Sequence, residues 1–155
     1  MKEKKIYLDE EFKTAVDFHT KGKIADAKNI YEKILEVKPD HFLALGNLGI
    51  IFSQSKKFNE AIELFNKTLK INPKYAEGHN NLGNALFELS EFDKSLDCYK
   101  TAVKLDPNFS DAFTNLGNVY YKKEDFNKAI ENYEAAILLN SGLNKDIPYY
   151  NLGNI

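Results

Sequence analysis

Three prolines, Pro39, Pro73 and Pro107, recur every 34 residues, each behind a similar run: EVKP, KINP, KLDP. The Leu–Gly pairs Leu48-Gly49, Leu82-Gly83 and Leu116-Gly117 keep the same 34-residue spacing, and Leu152-Gly153 follows after 36. The last three pairs sit inside one tetrapeptide, NLGN, at Asn81 to Asn84, Asn115 to Asn118 and Asn151 to Asn154. Two landmarks on one period mean that a single supersecondary unit is repeated. Such a unit cannot bury its apolar surface alone, so neighbours must stack.

Within the unit that starts at Phe42, Leu45, Leu48 and Phe52 recur at helical spacing. A break at Ser55-Lys56-Lys57 follows, and a second stripe runs through Phe58, Ala61, Ile62, Phe65 and Leu69. Asn72-Pro73 ends it, because proline disfavours helix in the residue before it and cannot continue the hydrogen-bond ladder. Each unit therefore reads as helix, tight turn, helix. The expected helices are about 8–21 and 24–37, 41–55 and 58–71, 75–89 and 92–105, 109–123 and 126–139, then 146 onward. Mid-helix glycine costs about 0.5–1 kcal/mol relative to alanine, so the recurrence of Gly49, Gly83 and Gly117 predicts close helix packing. On this reading Gly49 faces Ala61 within its pair.

The pattern resembles the tetratricopeptide repeat, whose signature runs aromatic or apolar, Leu-Gly, Tyr, Ala, Phe, Pro. The second unit carries it as Leu45, Leu48-Gly49, Phe52, Ala61, Phe65 and Pro73. The fourth has Phe113, Leu116-Gly117, Tyr120, Ala129 and Tyr133, with Ser141 in the place of proline. The third substitutes His79, Leu86 and Ser95. The first has Thr14-Ala15 for Leu-Gly but keeps Phe18, Ala27, Tyr31 and Pro39. The resemblance implies an all-α chain whose helix-turn-helix repeats stack into a right-handed superhelical solenoid. It implies one array over 1–155, with repeats at about 8–41, 42–75, 76–109 and 110–143 and a truncated fifth at 146–155. Ile147, Tyr149, Tyr150, Leu152 and Ile155 make a poor polar cap. The chain is therefore expected to be part of a longer array or protein, with a bare end that can self-associate.

Composition narrows the function classes. Hydrophobic residues make up 43% and charged residues 28%, which suits a folded chain. The formal net charge of −2 argues against nucleic acid as a partner. No stretch is long and apolar enough to span a membrane, and Met1 to Glu11 lacks the apolar core of a secretory signal. The cytoplasm is the expected location. Cys98 is the one cysteine and reads as a packing residue. His19, His41 and His79 have no partner at metal-ligand spacing. With no phosphate loop or nucleophile motif in the chain, neither enzyme activity, metal nor cofactor is expected.

In tetratricopeptide proteins the inner surface comes from the first helix of each pair. Aligning the units puts Asn47, Asn81, Asn115 and Asn151 in one column of that surface. Asn84, Asn118 and Asn154 form a second column, broken by Ile50; Lys13 and Val16 stand at these places in the first unit. Asparagine is a mediocre helix former, but its amide both donates and accepts. A row of amides can pair with the backbone of an extended peptide whatever its side chains. This is similar to the asparagine ladder of O-linked N-acetylglucosamine transferase, and the resemblance implies peptide held by its backbone. Glu77 and Asp111 align near the start of successive inner helices, and Phe87 and Tyr121 near the end, in the column of His19 and Ser53. The expected function is therefore a protein-interaction module with a peptide-binding groove. Two alternatives stay open: the substrate-recruiting repeats of a larger glycosyltransferase or sulfotransferase, and an architectural scaffold whose asparagines bond from repeat to repeat. Glu77 and Asn81, or Asp111 and Asn115, stand where a clamp for a chaperone's carboxyl terminus would need its basic pair, and the acids Glu77 and Asp111 would repel a carboxylate, which disfavours such a clamp.

Overall fold

The structure, a computed structural model, describes residues 2–141. The expected fifth repeat, with Asn151 and Asn154, lies outside the described residues. Eight helices run through the described part: α1 (Lys2–Thr20), α2 (Ile24–Val37), α3 (Phe42–Gln54), α4 (Phe58–Ile71), α5 (Ala76–Glu88), α6 (Phe92–Leu105), α7 (Ser110–Lys122) and α8 (Phe126–Ser141). Seven of them start within a residue of the sequence expectation. The exception is α1, which starts at Lys2 rather than near Leu8. Its leading residues carry no apolar stripe, so periodicity missed them, but lysine and glutamate are good helix formers.

The second helix of each pair stops where the proline requires. Lys38, Asn72 and Asp106, each directly before a proline, leave the helix with φ of −137°, −127° and −132°. The turn inside each pair is equally regular. Gly22, Lys56, Ser90 and Glu124 all take positive φ, between 58° and 74°. At each turn the following amide closes back five residues: Lys57 N–H donates to the Phe52 carbonyl (2.9 Å), Glu91 to Leu86 (2.9 Å) and Asp125 to Tyr120 (3.0 Å). This is the Schellman end, which places a left-handed residue just past the helix. Only the first repeat fills it with glycine. Glu124→Gly is therefore expected to raise stability by about 1 kcal/mol by removing left-handed strain, read as a higher denaturation midpoint. An unchanged or lower midpoint would show that the turn carries no strain.

The chain divides into two compact units, Met1–Pro73 and Lys74–Ile155. In the first, α1 to α3 close over Leu8, Ala15, Ala27, Tyr31, Ile34, Ala44, Leu48 and Ile51. In the second, α6 to α8 close over Tyr99, Ala102, Val103, Ala112, Phe113, Leu116, Val119, Tyr120, Ala129 and Ala136. The glycine column makes room for an aromatic ring that the sequence expectation does not include. A Cβ on Gly49 would sit 2.6 Å from Phe65 Cε1, one on Gly83 2.6 Å from Tyr99 Cε1, and one on Gly117 2.5 Å from Tyr133 Cε1. The aromatic ring four residues beyond Ala61, Ser95 or Ala129 is thus the nearest group to the glycine.

His41 starts α3: its Nδ1 accepts from the Ala44 N–H at 3.2 Å, and its ring lies 5.1 Å from Phe12. Burial, then the charge of Lys38, hold its pKa below the ordinary value. Only the neutral ring can accept, so this cap contributes stability above the unfolded pKa of about 6.5 and loses it as pH falls below that value. The melting temperature should fall between neutral and mildly acidic pH, and His41→Asn, which caps at any pH, should flatten the fall. Equal slopes would remove His41 as the cause.

Candidate functional site

In the second unit Glu77, Asn81 and Asn84 follow i, i+4, i+7 on α5, and Asp111, Asn115 and Asn118 do so on α7. Each set therefore lies along one helix face. Phe87 and Tyr121 stand one turn further on. The order on both helices is acid, amide, amide, aromatic. Glu77, Asp111 and Asn84 are exposed, and Asn81, Asn115 and Asn118 are half-buried. Asn47 occupies the same register on α3 of the first unit and is also half-buried.

The amides divide by what they already hold. Asn115 Nδ2 donates to Asn80 Oδ1 (2.9 Å) and Asn84 Oδ1 (3.0 Å), tying α7 to α5. Asn84 Oδ1 also accepts from the Tyr99 hydroxyl at 2.8 Å. One repeat later the Tyr133 hydroxyl donates to Asn118 Oδ1 at 2.9 Å. The second column thus has an internal partner in the second helix of its own pair. Asn47 and Asn81 make no side-chain hydrogen bond among the described residues. Sequence reasoning passed over Asn80, which is only 6% exposed. Its counterparts in register, Gly46 and Thr114, break the column, so no periodic signal marks it.

The acids and aromatics also have local roles. Glu77 and Asp111 sit in the first turns of α5 and α7, where helix dipoles favour negative charge. Phe87 meets Phe92 edge-on at 5.3 Å, and Tyr121 meets Phe126 at 5.7 Å and 65°. Each pair spans the turn between two helices, yet Tyr121 and Phe126 stay 57% and 53% exposed. In the first unit the same column ends at His19, whose Nε2 lies 3.3 Å from Gln54 Oε1. Cys98 is half-buried, and burial with the Asp97 charge pushes its thiol up to about 11. It stays protonated at neutral pH and is a poor nucleophile.

The first repeat shows what happens when the amide is missing. Val16 replaces it, and the Tyr31 hydroxyl is buried with no hydrogen-bond partner, its pKa pushed up to about 12 by burial. The second repeat replaces both members, with Ile50 and Phe65. Tyr31→Phe is therefore expected to stabilise the protein by about 1 kcal/mol, because it removes an unsatisfied buried donor. Chemical denaturation reads this directly; a loss of stability would mean that the hydroxyl has a partner.

Sequence models of the tetratricopeptide repeat match residues 18–41, 49–90, 83–124 and 110–143. Among curated proteins nothing matches. Solved structures of MamA are similar: one is 31% identical, with a TM-score of 0.73, covering 83% of this chain and 75% of that one. A second is 30% identical with a TM-score of 0.75, covering 87% and 74%. MamA from Desulfovibrio magneticus RS-1 aligns with a TM-score of 0.78 over 89% of this chain and 78% of its own, and at 21% identity it shows the fold alone. No described helix is long and apolar enough to cross a membrane.

Proposed function

The chain belongs to the tetratricopeptide repeat family, and on that premise we propose that the asparagine-lined face of α5 and α7 binds an extended peptide by its backbone. The role of the fold is protein interaction or scaffolding. The observation that carries the finer reading is Asn81, a half-buried amide in mid-helix with no internal hydrogen bond among the described residues. A poor helix former kept there without a structural partner has its donor and acceptor available to a ligand. The acids at one end of the face and the aromatics at the other suit a peptide with some basic character. Asn47 offers the same chemistry on the first unit. Peptide is the natural partner because its N–H and C=O groups match amide chemistry without calling on any particular side chain.

A scaffold reading is favoured by a different observation, the bonds from Asn115 to Asn80 and Asn84. They hold successive repeats together whether or not a ligand is present. Asn81→Ala separates the two readings. A peptide array probed with wild type and variant should show affinity falling about tenfold, the loss of roughly 1.4 kcal/mol of hydrogen bonding. Stability should hold within about 0.5 kcal/mol. If binding is untouched, or no peptide binds the folded wild type, the face is structural.

A further inference from the structure

We infer that Tyr99 is a positioning residue for this face. It fixes which way the Asn84 amide points and so gives the face one polarity. The inference rests on the peptide-binding reading above and adds what the bound backbone must offer.

An unrestrained asparagine can turn its amide over and present oxygen or nitrogen to a ligand. Asn84 is restrained. Its Oδ1 accepts from the Tyr99 hydroxyl at 2.8 Å and from Asn115 Nδ2 at 3.0 Å. Turning the amide over would set Nδ2 against the Asn115 Nδ2 donor and leave the proton of the Tyr99 hydroxyl without its acceptor, so the oxygen stays on the packed side. The Nδ2 donor of this exposed residue is left for the ligand. Asn115 has the opposite assignment. Its Nδ2 is spent on Asn80 and Asn84, which leaves Oδ1 as the outward group. Tyr99 itself cannot swing away: it is 2% exposed, and its ring lies on Gly83.

The face therefore presents a donor on α5 and an acceptor on α7, in fixed order. A bound peptide must give a backbone C=O to Asn84 and a backbone N–H to Asn115. The two groups alternate along an extended chain with unequal spacings, so a fixed donor–acceptor order favours one direction of the peptide. The register supports the pairing. Where the ring carries a hydroxyl at Tyr99 and Tyr133, the first helix carries asparagine at Asn84 and Asn118; where it is Phe65, the amide is replaced by Ile50; the first repeat keeps Tyr31 against Val16, and there the hydroxyl has no partner.

The test uses the full chain and a pool of blocked, neutral decapeptides of serine, threonine, alanine and valine. Wild type, Tyr99→Phe and Tyr31→Phe are compared by fluorescence anisotropy, by thermal melting, and by the nitrogen–proton spectra of the side-chain amides. Tyr31→Phe makes the same chemical change where no asparagine accepts. Tyr99→Phe should bind about tenfold more weakly and lose the peptide-induced shift of the Asn84 amide, while Tyr31→Phe binds as wild type. Asn84→Asp keeps the acceptor for Tyr99 and Asn115 but removes the outward donor, so it should stay folded and lose binding. If Tyr99→Phe or Asn84→Asp binds the pool like wild type, the positioning role is wrong and the groove stands. A wild type that binds none of the pool removes the groove, and the positioning role with it.

Discussion

Tyr99→Ala is expected to cost about 3–5 kcal/mol, the range for deleting a large buried aromatic side chain. The ring fills the gap over Gly83, where a Cβ would meet it at 2.6 Å, and belongs to the core that closes α6 to α8. Because Gly83 has no side chain to move into the space, the cavity stays open. The truncation also strips Asn84 of one of its two donors. The loss should appear in chemical denaturation followed by circular dichroism. Tyr99→Phe, which keeps the ring, should lose only about 1 kcal/mol, the worth of one hydrogen bond. If alanine costs no more than phenylalanine, the ring is not packed as the structure places it.

Gly83→Val carries the converse effect. A branched side chain there must displace the Tyr99 ring, which is held by the core on one side and by its bond to Asn84 at the tip. Overpacking of this kind costs about 1–3 kcal/mol, occasionally more, and Gly83→Val should reach the upper end. Alanine at this position should cost much less, because helix propensity returns about 1 kcal/mol. The first repeat already carries buried Ala15 in this column, opposite Tyr31. The decisive result is a change of sign. In the Tyr99→Ala background the valine has a cavity to fill, so the same substitution should become stabilising. Additive losses would mean that Gly83 and Tyr99 do not meet.

The repeat unit was legible because prolines, glycines and apolar residues all keep one period, and helix ends followed from the proline geometry. Three features were hidden for physical reasons. The start of α1 depends on propensity, which gives no periodic mark. The left-handed turn residues Lys56, Ser90 and Glu124 are not glycines, so their conformation is imposed by the helices on either side rather than announced by residue type. The aromatic ring over the glycine column is hidden because residue type pairs small with small, as Gly49 with Ala61, and gives no sign that a flat ring needs the room. At the site, the columns of asparagines could be read from alignment alone. Their division into internally bonded and unbonded amides could not, because it depends on where Tyr99, Tyr133 and Asn80 arrive in space. The matched replacement of Asn84 and Tyr99 by Ile50 and Phe65 is a sequence trace of that pairing, visible once the two columns are read together.

The structure and the family support a protein-interaction or scaffold role, and the proposal adds that the α5–α7 face reads a peptide's backbone rather than its side chains. The most direct measurement is calorimetric titration of the protein with a neutral decapeptide, the same composition in scrambled order, and a copy N-methylated at every residue. N-methylation removes the backbone donors and leaves the side chains in place. The first two peptides should bind alike, and the N-methylated copy should not bind. Binding that survives N-methylation but fails on scrambling would mean that the face recognises side chains, and would contradict the backbone-reading claim.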